Sequence, residues 1–185
     1  LGMTSDVDSN LGEALGTDFF SVREQFTDEQ WDRFLTTRRF VDSEVLPVAA
    51  DYWERAELAW PLIRRLPELG IVGEGIKGYG AADMSPMACG LVHMELHRGD
   101  GSLGTFLGVH AGLAMQSIAM CGSEEQKARW LPSMSSMAKI GAFALTEPDH
   151  GSDSIALSTT ARRDGDHWVL EGDKRWIGNG TIADL

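Results

Sequence analysis

Cysteine is scarce, with two in 185 residues, Cys89 and Cys121. Two thiols close at most one bridge and make no disulfide framework, so the fold must rest on an apolar core. Both read as small buried residues of a chain kept in a reducing compartment. Positive charge is also short: 16 Lys+Arg stand against 28 Asp+Glu, a net charge of −12. An acidic surface repels phosphate backbones, which excludes nucleic acid and anionic membranes as bulk partners and leaves room only for a local basic pocket around a phosphorylated ligand. Nowhere does the chain hold the roughly 18 consecutive apolar residues of a membrane span. The first ten residues carry Asp6 and Asp8 but no Lys or Arg. They therefore match neither the basic start of a secretory signal nor an Arg-rich mitochondrial leader, and a cytoplasmic protein is expected.

What is present is ample for a core, since 43% of the residues are apolar. That composition argues against disorder. At about 150 residues per domain, the length suggests one full domain and part of a second. Residues 1–20 read as a loose lead-in. Thr27-Asp28-Glu29-Gln30 is a capping box opening an amphipathic helix through Trp31, Phe34, Leu35, Phe40 and Val41, which Pro47 should kink or restart. A short helix is expected from about Trp60 to Leu69, then a glycine-rich loop to Asp83. Ser85-Pro86 reads as an N-cap followed by Pro at the first helical position, for a helix to about His97. Leu103 to Met120 is apolar and nearly uncharged, the profile of a buried helix. Ser123-Glu124-Glu125-Gln126 is a second capping box, for a helix that Pro132 should stop. Beyond Ile140 the texture changes: Asp164-Gly165 signals a hairpin, and His167–Glu171 and Lys174–Ile177 read as short strands. Helices followed by strands give an α+β chain, with an all-α domain over 1–138 and an incomplete β domain over 139–185. So few strands leave edges unpaired, so the chain is expected to be a piece of a longer protein.

Several chemical-looking signals have plainer readings. Gly73-Glu74-Gly75-Ile76-Lys77-Gly78 matches G-x-G-x-x-G but lacks a long preceding strand and an immediate helix, so it reads as a loop between helices. His93 and His97 share a helix face without a third ligand at suitable spacing, and no metal is expected. His110 lies in the apolar helix and reads as a satisfied core or pocket-lining histidine. Met84, Met87, Met94, Met115 and Met120 read as core filling.

One stretch stands out. Phe143-Ala144-Leu145-Thr146-Glu147-Pro148-Asp149-His150-Gly151-Ser152-Asp153 runs an apolar approach into a hydroxyl, a Pro turn, a Gly and a second hydroxyl. Such a loop suits a planar ligand with polar edges, and it reads equally well as a domain-linking turn. Lys174-Arg175-Trp176-Ile177-Gly178-Asn179-Gly180 sets a large indole beside a Gly-rich turn, suited to packing on a ring.

Phe143–Asp153 resembles the flavin signature of the acyl-CoA dehydrogenase and acyl-CoA oxidase superfamily. Trp176-Ile177 with its turn is similar to that family's second flavin contact, and the likeness runs from about Phe26 to Leu185. The resemblance implies a helical N-terminal domain, the opening of a β-barrel-like domain, and a C-terminal helical bundle that is absent here. It implies non-covalent FAD in a homotetramer or homodimer that oxidises an acyl-CoA to the trans-2-enoyl-CoA. A carboxylate takes the α-proton and the β-hydride passes to the flavin. Its electrons would go to an electron-transfer acceptor or to oxygen. Carried over by position, Phe143, Ala144, Leu145, Thr146, Gly151, Ser152, Trp176, Ile177 and Gly178 would contact the cofactor, and Ser152, Gly104 and Thr105 the substrate. The family's catalytic Glu belongs to the bundle, so none of these residues is named as the base. The separate piece is expected to hold FAD weakly.

Gly178 departs from the Thr or Ser usual in dehydrogenases of the family, which implies an altered flavin potential or oxygen access. Trp176-Ile177-Gly178-Asn179 and Gly104–His110 resemble plant-type short-chain acyl-CoA oxidases, within a glutaryl-CoA dehydrogenase-like branch. That branch's true glutaryl enzymes carry an Arg near Gly104-Thr105, and this chain has none. A short or medium monocarboxylic acyl chain is therefore expected, with glutaryl-CoA dehydrogenase or an oxidase as alternatives. A non-catalytic helical interaction homologue is the rival from another class.

Overall fold

The computed structural model describes residue 18 and residues 20–185, so most of the lead-in read over residues 1–20 lies outside it. Helix α1 (Asp28–Phe40) starts as its capping box requires: the Thr27 side chain accepts from the Gln30 amide, and the Gln30 side chain accepts from Thr27 N–H. The helix does not break at Pro47. It passes through a wider π-wound turn, Val41–Val45, in which the Leu46 amide reaches back to the Val41 carbonyl, and continues as α2 (Leu46–Glu54). A proline has no amide to give, and a wide turn ahead of it spares the ladder a break.

Only Trp60–Ile63 forms helix α3, shorter than the expected run to Leu69, and turns then lead to the glycine-rich loop. Helix α4 (Pro86–Gly99) is capped by the Ser85 hydroxyl, which accepts from the Ala88 amide. Asp100 ends α4 in extended conformation and caps the next helix, accepting from Ser102 N–H at 2.9 Å. From there one continuous helix runs through α5 (Gly101–Leu107), a π-wound stretch Gly108–Met115 and α6 (Gln116–Cys121).

This long helix is the axis of the core. Leu103, Phe106, Leu107, Ala111, Ala114 and Met115 are buried against Val92 and Leu96 of α4, Ile71 and Val72 of the loop, and Leu131 and Met134 of α7 (Glu124–Ser135). By length and composition its 21 residues, at hydropathy 1.3, would suit a membrane span. Its buried face gives that apolarity a local use, in the core. α1 lies along α4. There the buried Glu95 carboxylate accepts from Arg98 Nε at 2.7 Å, with Arg38 Nε at 3.6 Å. The capping box at Ser123 forms, but Pro132 does not stop the helix. Leu131, Met134 and Ser135 are all buried, and packing that last turn outweighs the bond the proline cannot make.

The β portion is a single antiparallel hairpin, β1 (Thr160–Asp164) and β2 (His167–Glu171), pairing Asp164 with His167 across Gly165-Asp166. Lys174–Ile177 forms no strand, which corrects the sequence expectation. Trp176 adopts φ 57°, a left-handed turn that a strand does not accommodate. Cys89 is buried, and burial pushes its thiol up to about 11. Cys121 is exposed, against the buried position expected for it, and both thiols are free. Met84 and Met115 fill the core, whereas Met87, Met94 and Met120 are exposed.

Candidate functional site

The loop that the sequence singled out leaves the core at Ile140 and Gly141, both buried. Four side-chain hydrogen bonds fix that exit. The Gly141 amide donates to His110 Nδ1 at 3.0 Å, and Asn179 Nδ2 donates to the Gly141 and Phe106 carbonyls, each at 3.3 Å. The Ile140 amide donates to Asp184 Oδ2 at 2.9 Å. Because Gly141 supplies the hydrogen, His110 must be the Nε2–H tautomer, and that nitrogen donates to the Met134 carbonyl at 3.0 Å. His110 is 0% exposed, and burial lowers its pKa, so it is a neutral structural staple.

Phe143, Leu145 and Thr146 are not fully buried, Glu147 is buried, and Gly151 and Ser152 are exposed. Glu147 and His150 close the turn with reciprocal main-chain bonds of 3.0 and 3.3 Å. The second segment lies directly against the first, since the Arg175 amide donates to the Thr146 carbonyl at 2.9 Å. Lys174 Nζ donates to the Leu145 carbonyl at 3.1 Å and to Glu147 Oε1 at 2.9 Å. The same carboxylate accepts from the Ser158 amide at 2.6 Å and the Thr159 amide at 2.9 Å. Contacts from Thr159 and Lys174, with the Ser158 amide, hold the Glu147 carboxyl well below the usual carboxylate range. Its favourable ionisation is complete above pH 4.5, and the stability it lends falls as the pH drops below that value.

Trp176 is 81% exposed, with the Arg175 guanidinium 4.5 Å from its ring centroid. Among the described residues, the hydroxyls of Thr146 and Ser152 and the amides of Thr146, Gly151 and Ser152 make no hydrogen bond. Free donors on one loop beside an exposed indole fit a planar heterocycle: the donors suit its carbonyl and ring-nitrogen edge, the indole its face.

The turn after Trp176 rests on the long helix. Gly178 packs so closely that a Cβ there would lie 2.8 Å from Val109 Cγ2, and Asn179 bonds the Phe106 carbonyl. Thr105, next to Phe106, is exposed. Gly104 is buried beneath the His97 ring, where an added Cβ would collide with Nδ1. Ser152 makes no hydrogen bond to either residue. Of the other sequence signals, His97 lies over Gly104. His93 bonds the Glu74 carboxylate, and His97 Nδ1 donates to the His93 carbonyl at 2.8 Å. Gly73–Gly78 is a loop with no helix until Pro86. Sequence reasoning missed Lys174, Asn179 and Val109 as organisers, and it took Glu147 for a mere part of the turn.

Comparison with known proteins decides the family. Residues 27–138 match the acyl-CoA dehydrogenase N-terminal domain, and residues 142–185 match the acyl-CoA dehydrogenase middle domain. The chain belongs to the acyl-CoA dehydrogenase family. A probable acyl-CoA dehydrogenase of Bacillus subtilis is 37% identical over 88% of this chain and 28% of its own length. The mitochondrial short-chain specific acyl-CoA dehydrogenase of Bos taurus is 37% identical over 80% of this chain and 36% of its own. A crystal structure of a Mycobacterium smegmatis glutaryl-CoA dehydrogenase in complex with FADH2 superposes with a TM-score of 0.86 at 41% identity, covering 89% of this chain and 43% of that one. The chain thus spans less than half the length of these relatives.

The close approach of Gly178 to Val109 makes a testable demand of this family member. Gly178→Thr should lower stability by about 1–3 kcal/mol through overpacking, and adding Val109→Ala should recover most of it. Chemical denaturation of the two variants checks this. A stable Gly178→Thr in the presence of Val109 would contradict the packing seen here.

Proposed function

We propose that this chain supplies the flavin-contacting part of an FAD-dependent acyl-CoA dehydrogenase that oxidises an acyl-CoA to the trans-2-enoyl-CoA. The observation that carries the proposal is the main-chain bond from Arg175 to Thr146, which joins the two segments whose sequences resemble the family's flavin contacts. FAD, when bound, supplies the hydride acceptor. The chain's own residues bind and orient. Phe143, Ala144 and Leu145 form the apolar approach. Thr146, Gly151 and Ser152 offer hydroxyls and amides to the ring's polar edge, and Trp176, Ile177 and Gly178 flank its face. Gly104, Thr105 and Ser152 serve the acyl-CoA side.

No residue here is assigned as the base. Glu147 is unsuited to it, because a base must accept a proton and this carboxylate is held ionised by Lys174 and two amides. The acyl group is short or medium and monocarboxylic. The assembly is a homodimer or homotetramer, and the electrons pass to an electron-transfer acceptor.

Anaerobic addition of butyryl-CoA to the flavin-loaded full-length protein tests the proposal. The yellow flavin absorbance should bleach and return when an acceptor is added. A protein that stays colourless after reconstitution with FAD would instead be a non-catalytic homologue. Rapid oxygen consumption without an added acceptor would make it an oxidase, the reading favoured by a glycine at position 178.

A further inference from the structure

The segments around Thr146 and Trp176 are joined by more than one contact, and the contacts are unevenly distributed. Lys174 Nζ holds the Leu145 carbonyl, the residue before Thr146, and the Glu147 carboxylate, the residue after it. Between those two grips, the Thr146 carbonyl takes the Arg175 amide. Three consecutive residues of one segment are thus tied to two consecutive residues of the other, with Thr146 at the centre and Trp176 next in line. Glu147 also gathers the Ser158 and Thr159 amides, the entry to β1. An apolar pair could join two segments as firmly, since a buried ion pair is a poor source of net stability. What an ion pair with fixed hydrogen-bond directions adds is orientation.

We infer that Glu147 and Lys174 are a positioning pair, which sets the Thr146 donors and the Trp176 indole in the one relative orientation that receives the flavin ring. The inference rests on the flavin reading proposed above and assigns the pair no contact with substrate or with reacting atoms. Neutralising either partner leaves the two segments joined mainly by the Arg175–Thr146 main-chain bond, about which they can pivot.

The test uses the full-length protein stripped of FAD and reloaded. The variants are Glu147→Gln, Lys174→Met and Lys174→Arg, with Leu91→Ala as a purely structural control. Leu91 lies in the separate Phe34–Leu35–Leu91 cluster, away from the loop. Glu147→Gln and Lys174→Met should each weaken FAD binding by roughly tenfold or more, the loss of about one well-placed hydrogen bond. They should also change the visible circular dichroism of the flavin that remains bound. Lys174→Arg, which keeps the charge, should restore most of the affinity. Leu91→Ala should lower thermal stability yet leave flavin affinity and dichroism as in the wild type. Should Glu147→Gln fail to fold, Lys174→Met still decides the matter, because it leaves the carboxylate its two amide donors.

Wild-type affinity and dichroism in the foldable variants would overturn the pairing role while leaving the flavin reading intact. The same changes in Leu91→Ala would reduce the pair to ordinary stability. A wild-type protein that binds no FAD would overturn the functional reading and this inference together.

Discussion

His110→Ala should lower the unfolding free energy by roughly 3–5 kcal/mol, the sum of a core cavity and the buried Gly141 amide left without a partner. His110 is fully buried, with Phe106 stacked at a centroid distance of 6.0 Å. Its two ring nitrogens hold the Gly141 amide and the Met134 carbonyl, each at 3.0 Å. Removing the ring takes away one tie between the long helix and α7 and another between that helix and the exit of the candidate flavin loop. The same residue sets a pH dependence. Its folded pKa lies below the ordinary 6.5, because burial disfavours the imidazolium, so the unfolded chain takes up the proton first. Stability from this group is therefore complete above pH 6.5 and declines as the pH falls below it. His110→Gln should be less stable than the wild type near neutrality but should lose less on acidification. Chemical denaturation at two pH values checks both signs. A cost under about 1 kcal/mol for His110→Ala would show that the staple carries little.

Butyryl-CoA should be turned over by the full-length enzyme with kcat/KM at least about 100-fold above that for glutaryl-CoA, the equivalent of nearly 3 kcal/mol for a carboxylate desolvated without a partner. The reason lies at the candidate acyl end of the site. Gly104 is buried under the His97 ring, with less than a methyl group's clearance. His97 spends Nδ1 on the His93 carbonyl. Residues 101–110 contain neither Arg nor Lys, so they offer a distal carboxylate no cation of fixed charge. Steady-state kinetics with the two thioesters checks this. Glutaryl-CoA turning over as fast as butyryl-CoA would contradict it, and would show that another part of the protein supplies the missing cation.

The elements that were legible in the sequence are those decided locally. Thr27 and Gln30, Ser123 and Gln126, and Ser85 with Pro86 form their caps within one helical turn, so their spacing sufficed. Pro132 misled because its neighbours Leu131 and Met134 are anchored by a core that periodicity does not display. Lys174–Ile177 has the composition of a strand, yet its backbone is set by the turn at Trp176 and by one bond to Thr146. Glu147 was legible as part of a motif but not as a buried anion. Its partners Ser158 and Lys174 stand 11 and 27 residues away, and only the fold brings them together. The flavin-like segments could be named separately from their residue types. That they touch, and that Gly178 closes on Val109, is decided by the fold and not by residue type.

The most direct test of the whole account is a crystal structure of the full-length protein reconstituted with FAD. The isoalloxazine should lie in van der Waals contact, within about 4 Å, of both Thr146 and the Trp176 indole. A ring bound elsewhere, or touching one of the two while the other faces away, would contradict it.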